Sequence, residues 1–337
     1  MRGGDCKCNR PRMSSLPIPR LVAVVLMLVV GSLAAIASPA SATPRATPFK
    51  LPEEFALASD VVAGPDGAAW VTDSSLGRIW RIPAKSGRIR SYDLGEMPGG
   101  ITTAYGSMWV ADAGGDAIHR VEANGSSKSY PLRAGAFPID IVKGSDGALW
   151  FTEGSGDAIG RLALDGTIAE YPLPTAGAFA VGIVAGPDGA LYFSEESAGK
   201  VGRITVDGAV TEYALPGVDG QPGPLVAAGG AIYVADGNNN TIERMTTAGE
   251  FTASYAIPRE HAMALAMVVG PRGAIYIAEN RTGVVSRMTL DGRFTKRYRI
   301  PGGWPDSLAA GPDDTLWVGQ GNIGQVTRLD VGRRHRH

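Results

Sequence analysis

The sequence predicts an all-β chain, a seven-bladed β-propeller of four-stranded antiparallel blades closed by an amino-terminal strand that completes the last blade. Three observations predict it. An apolar phrase that ends in a polar, mostly acidic residue recurs seven times: AAWVTD at Asp73, MWVAD at Asp112, ALWFTE at Glu153, ALYFSE at Glu195, AIYVAD at Asp236, AIYIAE at Glu279 and TLWVGQ at Gln320, with spacings of 39, 41, 42, 41, 43 and 41 residues. An arginine follows each phrase at an offset of eight: Arg81, Arg120, Arg161, Arg203, Arg244, Arg287 and Arg328. A fourth-strand phrase, Tyr-x-Leu/Ile, occurs at Tyr92, Tyr130, Tyr171, Tyr213, Tyr255 and Tyr298, six copies for seven units.

Each unit divides into four short apolar or alternating runs bounded by turn residues. In the fourth these are VGIVAG from Val181, the turn Pro187-Asp188-Gly189, ALYFSE, KVGRITV, the turn Asp207-Gly208, and VTEYALP ending at Pro216. Helical 3.6-residue periodicity is missing from these segments, and β-branched and aromatic residues fill them. The seventh unit runs out at Val326–Leu329, after its third strand. Phe49-Lys50-Leu51-Pro52 has the form of the missing fourth strand, so the ring closes without an unpaired edge.

Composition narrows the remaining possibilities. With 19% charged residues, 46 Gly and 23 Pro in 337 residues, the chain is neither a coiled coil nor a disordered polyelectrolyte. Residues 1–42 read as a signal peptide, in which Arg10, Arg12 and Arg20 precede an apolar run from Leu21 to about Ala37 and Ala40-Ser41-Ala42 offers the cleavage site. Translation starts at Met1 or Met13. The run is short for a span of about 20 residues, so the expectation is a cleaved segment that leaves no membrane span and exports the protein to the cell envelope, the periplasm or the extracellular space, with an uncleaved anchor as the alternative. The remaining chain, a propeller domain over 43–329 and a basic, solvated tail over 330–337, holds 27 basic and 32 acidic residues, a net charge of −5 that argues against sequence-independent nucleic-acid binding. Cys6 and Cys8 both precede the apolar run, so the exported protein has no thiol chemistry.

The repeat places the candidate chemistry. The start of each first strand lies beside the end of the second, which gathers Asp73, Asp112, Glu153, Glu195, Asp236 and Glu279 at one mouth of the axial channel. Like charges in a concave site repel. Two readings stand: the acids accept hydrogen bonds from their own turns or meet the repeated arginines, or some of them bind a hard divalent cation, Mg²⁺ or Ca²⁺. Fourteen residues before the acid stand Ser59, Ile139, Val181, Leu265 and Asp306, with Gly99 and Gly223 where the turn is one residue shorter. Two residues earlier come Phe137, Phe179 and Trp304, alongside Leu57, Met97, Gln221 and Met263. These aromatics either cover blade ends or form an apolar collar around a polar floor, the composition of a small-molecule site. Asp306 is the ionisable group at the strand-start register. Neither His119, in mid-strand, nor His261, in the loop entering blade six, belongs to a catalytic motif, and no nucleophile elbow, zinc cluster or phosphate loop occurs.

The units Gly144–Pro174 (GSDGALWFTEGSGDAIGRLALDGTIAEYPLP) and Gly186–Pro216 (GPDGALYFSEESAGKVGRITVDGAVTEYALP) closely resemble the blades of the streptogramin B lyases, also called virginiamycin B lyases, and the resemblance spans residues 47–329. It implies a Mg²⁺-dependent elimination that opens a cyclic depsipeptide, with a histidine base and a metal-side glutamate. Glu279 matches that glutamate. The base falls on Leu265, the second histidine on Gly223 and a further glutamate on Met263, so three of the four positions lack the chemistry. General-base help is worth about 10²–10⁴-fold, and its loss leaves lyase activity negligible. The expectation is therefore an exported monomer that binds a small molecule or partner at an acidic, aromatic-rimmed mouth. The alternatives are a metal-assisted lyase or lactone-opening or ester-opening enzyme using Glu279 and Asp306, and a scaffold for an envelope protein.

Overall fold

A computed structural model describes residues 46–85 and 87–332. The expected signal segment, both cysteines, Met13 and the end of the basic tail lie outside the described residues. The rest forms seven four-stranded antiparallel sheets in a ring, each running first strand to fourth from the axis outward. The seventh sheet carries Ser307–Ala310, Thr315–Gln320 and Gln325–Asp330, and its outer strand is Ala46–Lys50, paired antiparallel from Ala46 opposite Leu329 to Lys50 opposite Gln325. The seam expected from the missing phrase is therefore present. No helix among the described residues is long and apolar enough to cross a membrane.

Blades are too thin to bury a core alone, so the apolar residues pack between them. Seven buried clusters form, each shared by neighbouring blades. The tryptophan or tyrosine of the second strand faces the fourth-strand tyrosine of the same blade, with ring centroids 5.6 Å apart for Trp150 and Tyr171 and 5.9 Å for Trp70 and Tyr92. The glycine of the third hairpin then sits against the tyrosine of the preceding blade: a Cβ on Gly249, whose φ is +87°, would lie 1.9 Å from the Tyr213 ring. Left-handed backbone and close approach both demand glycine there.

The repeated arginines work at the face opposite the entry loops. Arg161 and Arg203 pair with Asp146 and Asp188 of the turn between first and second strands, each at 2.7 Å, and Arg81 pairs likewise with Asp66. Their expected role as partners of the strand-end acids is thus corrected: three residues separate the arginine from the pairing position of the acid, which carries its side chain to the other end of the blade.

Candidate functional site

The first strands of all seven blades enclose an axial cavity of about 790 Å³. Its wall is mostly aliphatic, and its ionisable residues are Asp60, Asp140 and Asp306. The six strand-end acids do not line it. Asp73, Asp112, Glu153, Glu195, Asp236 and Glu279 are each at most 1% exposed, turned into the blades beneath the entry loops. Their expected convergence into an open pocket is thus corrected, and for the three aspartates the physical reason is that loop N–H groups need acceptors where the backbone leaves the sheet.

Asp73, Asp112, Asp236 and Glu279, with Gln320, are satisfied locally, in four of these five through the residue seven positions on, whereas Glu153 keeps one oxygen and Glu195 both oxygens without a partner among the described residues. Asp73 accepts from Leu57, Ser75 and Leu76 N–H groups and from the Trp80 indole at 2.9 Å. Asp112 accepts from Glu96, Met97 and Gly115 N–H groups and contacts His119 Nε2 at 3.1 Å. Burial pushes Asp112 up, but the His119 contact and the backbone donors outweigh it and hold the carboxyl below its ordinary range. Glu279 accepts from the hydroxyls of Thr282, at 2.9 Å, and Ser286. Gln320 accepts from Thr327 at 2.7 Å, and Asp236 from Asn239 at 2.8 Å. Position seven is therefore Trp80, His119, Ser286 or Thr327 in four blades, a polar grammar that the sequence contains but that only the contacts make visible.

Asp60 and Asp140 occupy the register one residue after the strand start, where the other blades have Gly100, Gly182, Pro224, Ala266 and Ser307. Each bridges two blades: Asp60 accepts from Val61 N–H at 2.7 Å and from Ile101 N–H of blade two at 3.1 Å, and Asp140 from Ile141 N–H at 2.7 Å and Ile183 N–H of blade four at 3.0 Å. Ile101 and Ile183 follow β-bulges in their strands, which turn an N–H toward the neighbouring blade. Gly100 separates the two acids, and a Cβ there would lie 2.8 Å from Asp140 Oδ1. Solvent reaches both carboxyls along the channel, but protein encloses them on every other side. That enclosure, with the charge of Asp140, pushes Asp60 up to about 7, and it pushes Asp140 up to about 6. Asp306 accepts from Gly321 N–H and the Asn280 amide, and burial raises it above its ordinary value. Sequence reasoning singled out Asp306 and missed the other pair, which stood one position further along two other strands.

Above the cavity lies an apolar rim. Phe137 and Phe179 are half-buried, while Trp304 is 54% and Met263 and Leu265 are each 40% exposed. Phe137, Phe179, Met263 and Trp304 share one register and adopt left-handed backbone, with φ of 53°, 54°, 55° and 48°. Bulky residues rarely do so, and each such residue costs on the order of 1–3 kcal/mol. The loops are held by their surroundings: Asp116 accepts from Phe137 N–H at 2.8 Å, and the carbonyls of Phe137, Phe179 and Met263 accept from Gly154, Glu196 and Asn280 N–H groups at 3.0–3.2 Å. Phe179 reaches across to blade three, where its ring stands 3.3 Å from a Cβ built on Gly154.

The donor set does not suit a magnesium ion at Glu279. Both of its oxygens face hydroxyl donors, Leu265 and Gly223, where the resemblance expects histidines, line the channel, and no group of three or more His, Cys, Asp or Glu fit for a metal occurs among the described residues.

Fold and site together define a closed seven-bladed propeller with a loop-rimmed mouth on its axial channel. The chain belongs to the virginiamycin B lyase family, whose model matches residues 31–229 and 225–335. A streptogramin B lyase structure is similar at 28% identity over 86% of this chain and 98% of that one, with a TM-score of 0.79. A catalytically inactive histidine-to-alanine variant of virginiamycin B lyase from Staphylococcus aureus, with quinupristin, is similar at 27% identity over 86% of this chain and 100% of that one, also with a TM-score of 0.79. The WD40 propeller domain of Doa1, at 13% identity, 85% and 96% coverage and a TM-score of 0.69, shares the fold alone. Among curated proteins no match is found.

Proposed function

We propose that this chain is an exported, monomeric propeller that captures a small, largely apolar molecule over the channel mouth and does not open it by elimination. The observation that carries the reading is the set of four bulky residues held at left-handed φ in one register around a cavity of about 790 Å³. Strain of this kind persists where the fold over-determines it, and it clusters at ligand clamps. An aliphatic wall with few polar groups below such a rim is the composition of a small-molecule site. The similar lyase whose histidine-to-alanine variant is catalytically inactive supports the second half of the reading, since Leu265 and Gly223 stand at the histidine positions here.

A thermal-shift screen of aromatic and aliphatic small molecules tests capture. Stabilising hits that Trp304→Ala and Phe179→Ala each weaken about tenfold support the mouth. No hits, or hits that survive both substitutions, would overturn it, and stable capture of an envelope protein by either face would favour the scaffold.

Incubation with quinupristin, followed by mass spectrometry and chromatography, is expected to return the intact ring. A linear product lost in both Glu279→Gln and Asp306→Asn would instead establish the lyase or ester-opening alternative. Capture on this reading needs no metal, so millimolar Mg²⁺ or Ca²⁺ is expected to leave the melting temperature unchanged. A rise that Glu279→Gln abolishes would restore the cation reading.

A further inference from the structure

Blades three and four differ from the others beneath the rim. Their strand-end acids are Glu153 and Glu195, and the residue seven on is glycine, Gly160 or Gly202, whose missing side chain is replaced by the Phe151 or Phe193 ring. The usual polar partner is therefore gone from both. Blade three substitutes a cation: Arg133 donates to Glu153 at 2.8 Å and to Glu170 at 2.6 Å. The residue 42 positions after Arg133 is Thr175, which donates to Glu212, the counterpart of Glu170, and leaves Glu195 untouched.

Glu195 is 0% exposed, and neither of its carboxyl oxygens has a hydrogen-bond partner among the described residues. The charged groups around it are already engaged. Lys200, on the adjoining third strand, donates to Thr175 and Glu212 at 2.7 Å each. Glu212 comes from the fourth strand, and Asp157, from the blade-three turn, accepts from Gly177 N–H at 2.7 Å. The first strand presents uncharged Ala180 opposite Glu195, and the adjacent Glu196 accepts from the Gln221 amide at 2.6 Å. A carboxylate in such a place is costly, whereas a neutral carboxyl is tolerated.

We propose that Glu195 is a proton-operated switch beneath the rim: neutral, it lets the blade-four loops close, and ionised, it draws Lys200 from Glu212 and loosens the loop that carries Phe179. The loop is within reach of such a change, because Glu196 and Ser197 N–H groups donate to the Phe179 and Ala178 carbonyls at 3.2 and 3.1 Å. Burial, reinforced by the charge of Glu212 and opposed by Lys200, pushes Glu195 up to about 7, which places the transition near neutrality. The proton passes to solvent and no other bond changes. Consequences for ligand capture rest on the reading of the mouth given above; the switch itself does not.

The test uses the ligand-free exported chain, with carbon-13 labels on glutamate carboxyls and phenylalanine rings, followed by NMR across the titration. Glu195, assigned by loss of its signal in Glu195→Gln, is expected to titrate between about pH 6 and 8, with the Phe179 ring signals moving at the same midpoint. Glu195→Gln should abolish that component of the Phe179 response. A Glu195 midpoint below about 5, or a Phe179 response unchanged in Glu195→Gln, overturns the proposal. No ligand enters the experiment, so its failure is distinct from failure of the thermal-shift screen.

Discussion

A chain lacking residues 43–52 is expected to melt at least about 10 °C below its parent, or to aggregate on expression, because the strand it loses closes the ring. Leu51 is 2% exposed in the cluster between blades seven and one, its N–H donates to Gly324 at 2.9 Å, and the Phe49 ring stands 5.8 Å from Trp317. Losing one buried leucine side chain costs about 2–5 kcal/mol, against a total stability on the order of 5–15 kcal/mol. The truncation also removes the whole ladder along Gln325–Asp330 and leaves that edge free to pair with another molecule. Calorimetry and size-exclusion chromatography check the result, and a peptide of residues 43–52 added in trans should recover part of the loss. A truncated monomer that melts within about 2 °C of the parent would show that the seam contributes little.

Stability is expected to fall as pH rises from about 4 to 8, with Asp60 and Asp140 contributing. Their folded-state values, about 7 and about 6, lie above the ordinary 3.8, so the folded chain binds more protons than the unfolded chain in this window. Their favourable contribution is complete below about pH 4, is lost as pH rises through about 6 and 7, and changes little above about 8. A tenfold difference in proton affinity between the folded and unfolded chain is worth about 1.4 kcal/mol. Asp140→Asn sharpens the prediction. Asparagine keeps one acceptor for Ile183 N–H but turns an amide toward Ile141 N–H, and an unmet buried donor costs about 1–3 kcal/mol. The variant is therefore less stable than the parent at pH 4, and the difference moves in its favour by about 2 kcal/mol by pH 8. Urea denaturation at both pH values measures this. A difference that is the same at the two values would mean that Asp140 stays ionised throughout.

The ring was legible because its cause is local and repeated. Seven copies of one apolar phrase at about 41-residue spacing specify strands, turns and blade count together, and Phe49-Lys50-Leu51-Pro52 supplied the one copy that was missing. Phe137, Phe179 and Trp304 were placed at the entry loops by register alone, and the structure has them there. Less legible was the direction of the strand-end acids. Asp73 and Glu195 occupy the same register, yet one meets an indole and three backbone donors while the other meets no donor at all among the described residues. Asp60 and Asp140 escaped notice because their partners, Ile101 and Ile183, lie about 40 residues away in the next blade, beyond the reach of any pattern within one unit.

The amino-acid order by itself determined the all-β class, the number of blades and the closing strand, since hydrophobic alternation, turn residues and their period require no knowledge of what lies across a blade boundary. Tertiary structure alone decided which carboxyls face the channel, which are sealed under loops and which lack a donor. Those outcomes depend on contacts between neighbouring blades, and the free energy of a buried charge is set by the few ångströms around it rather than by its position in a repeat.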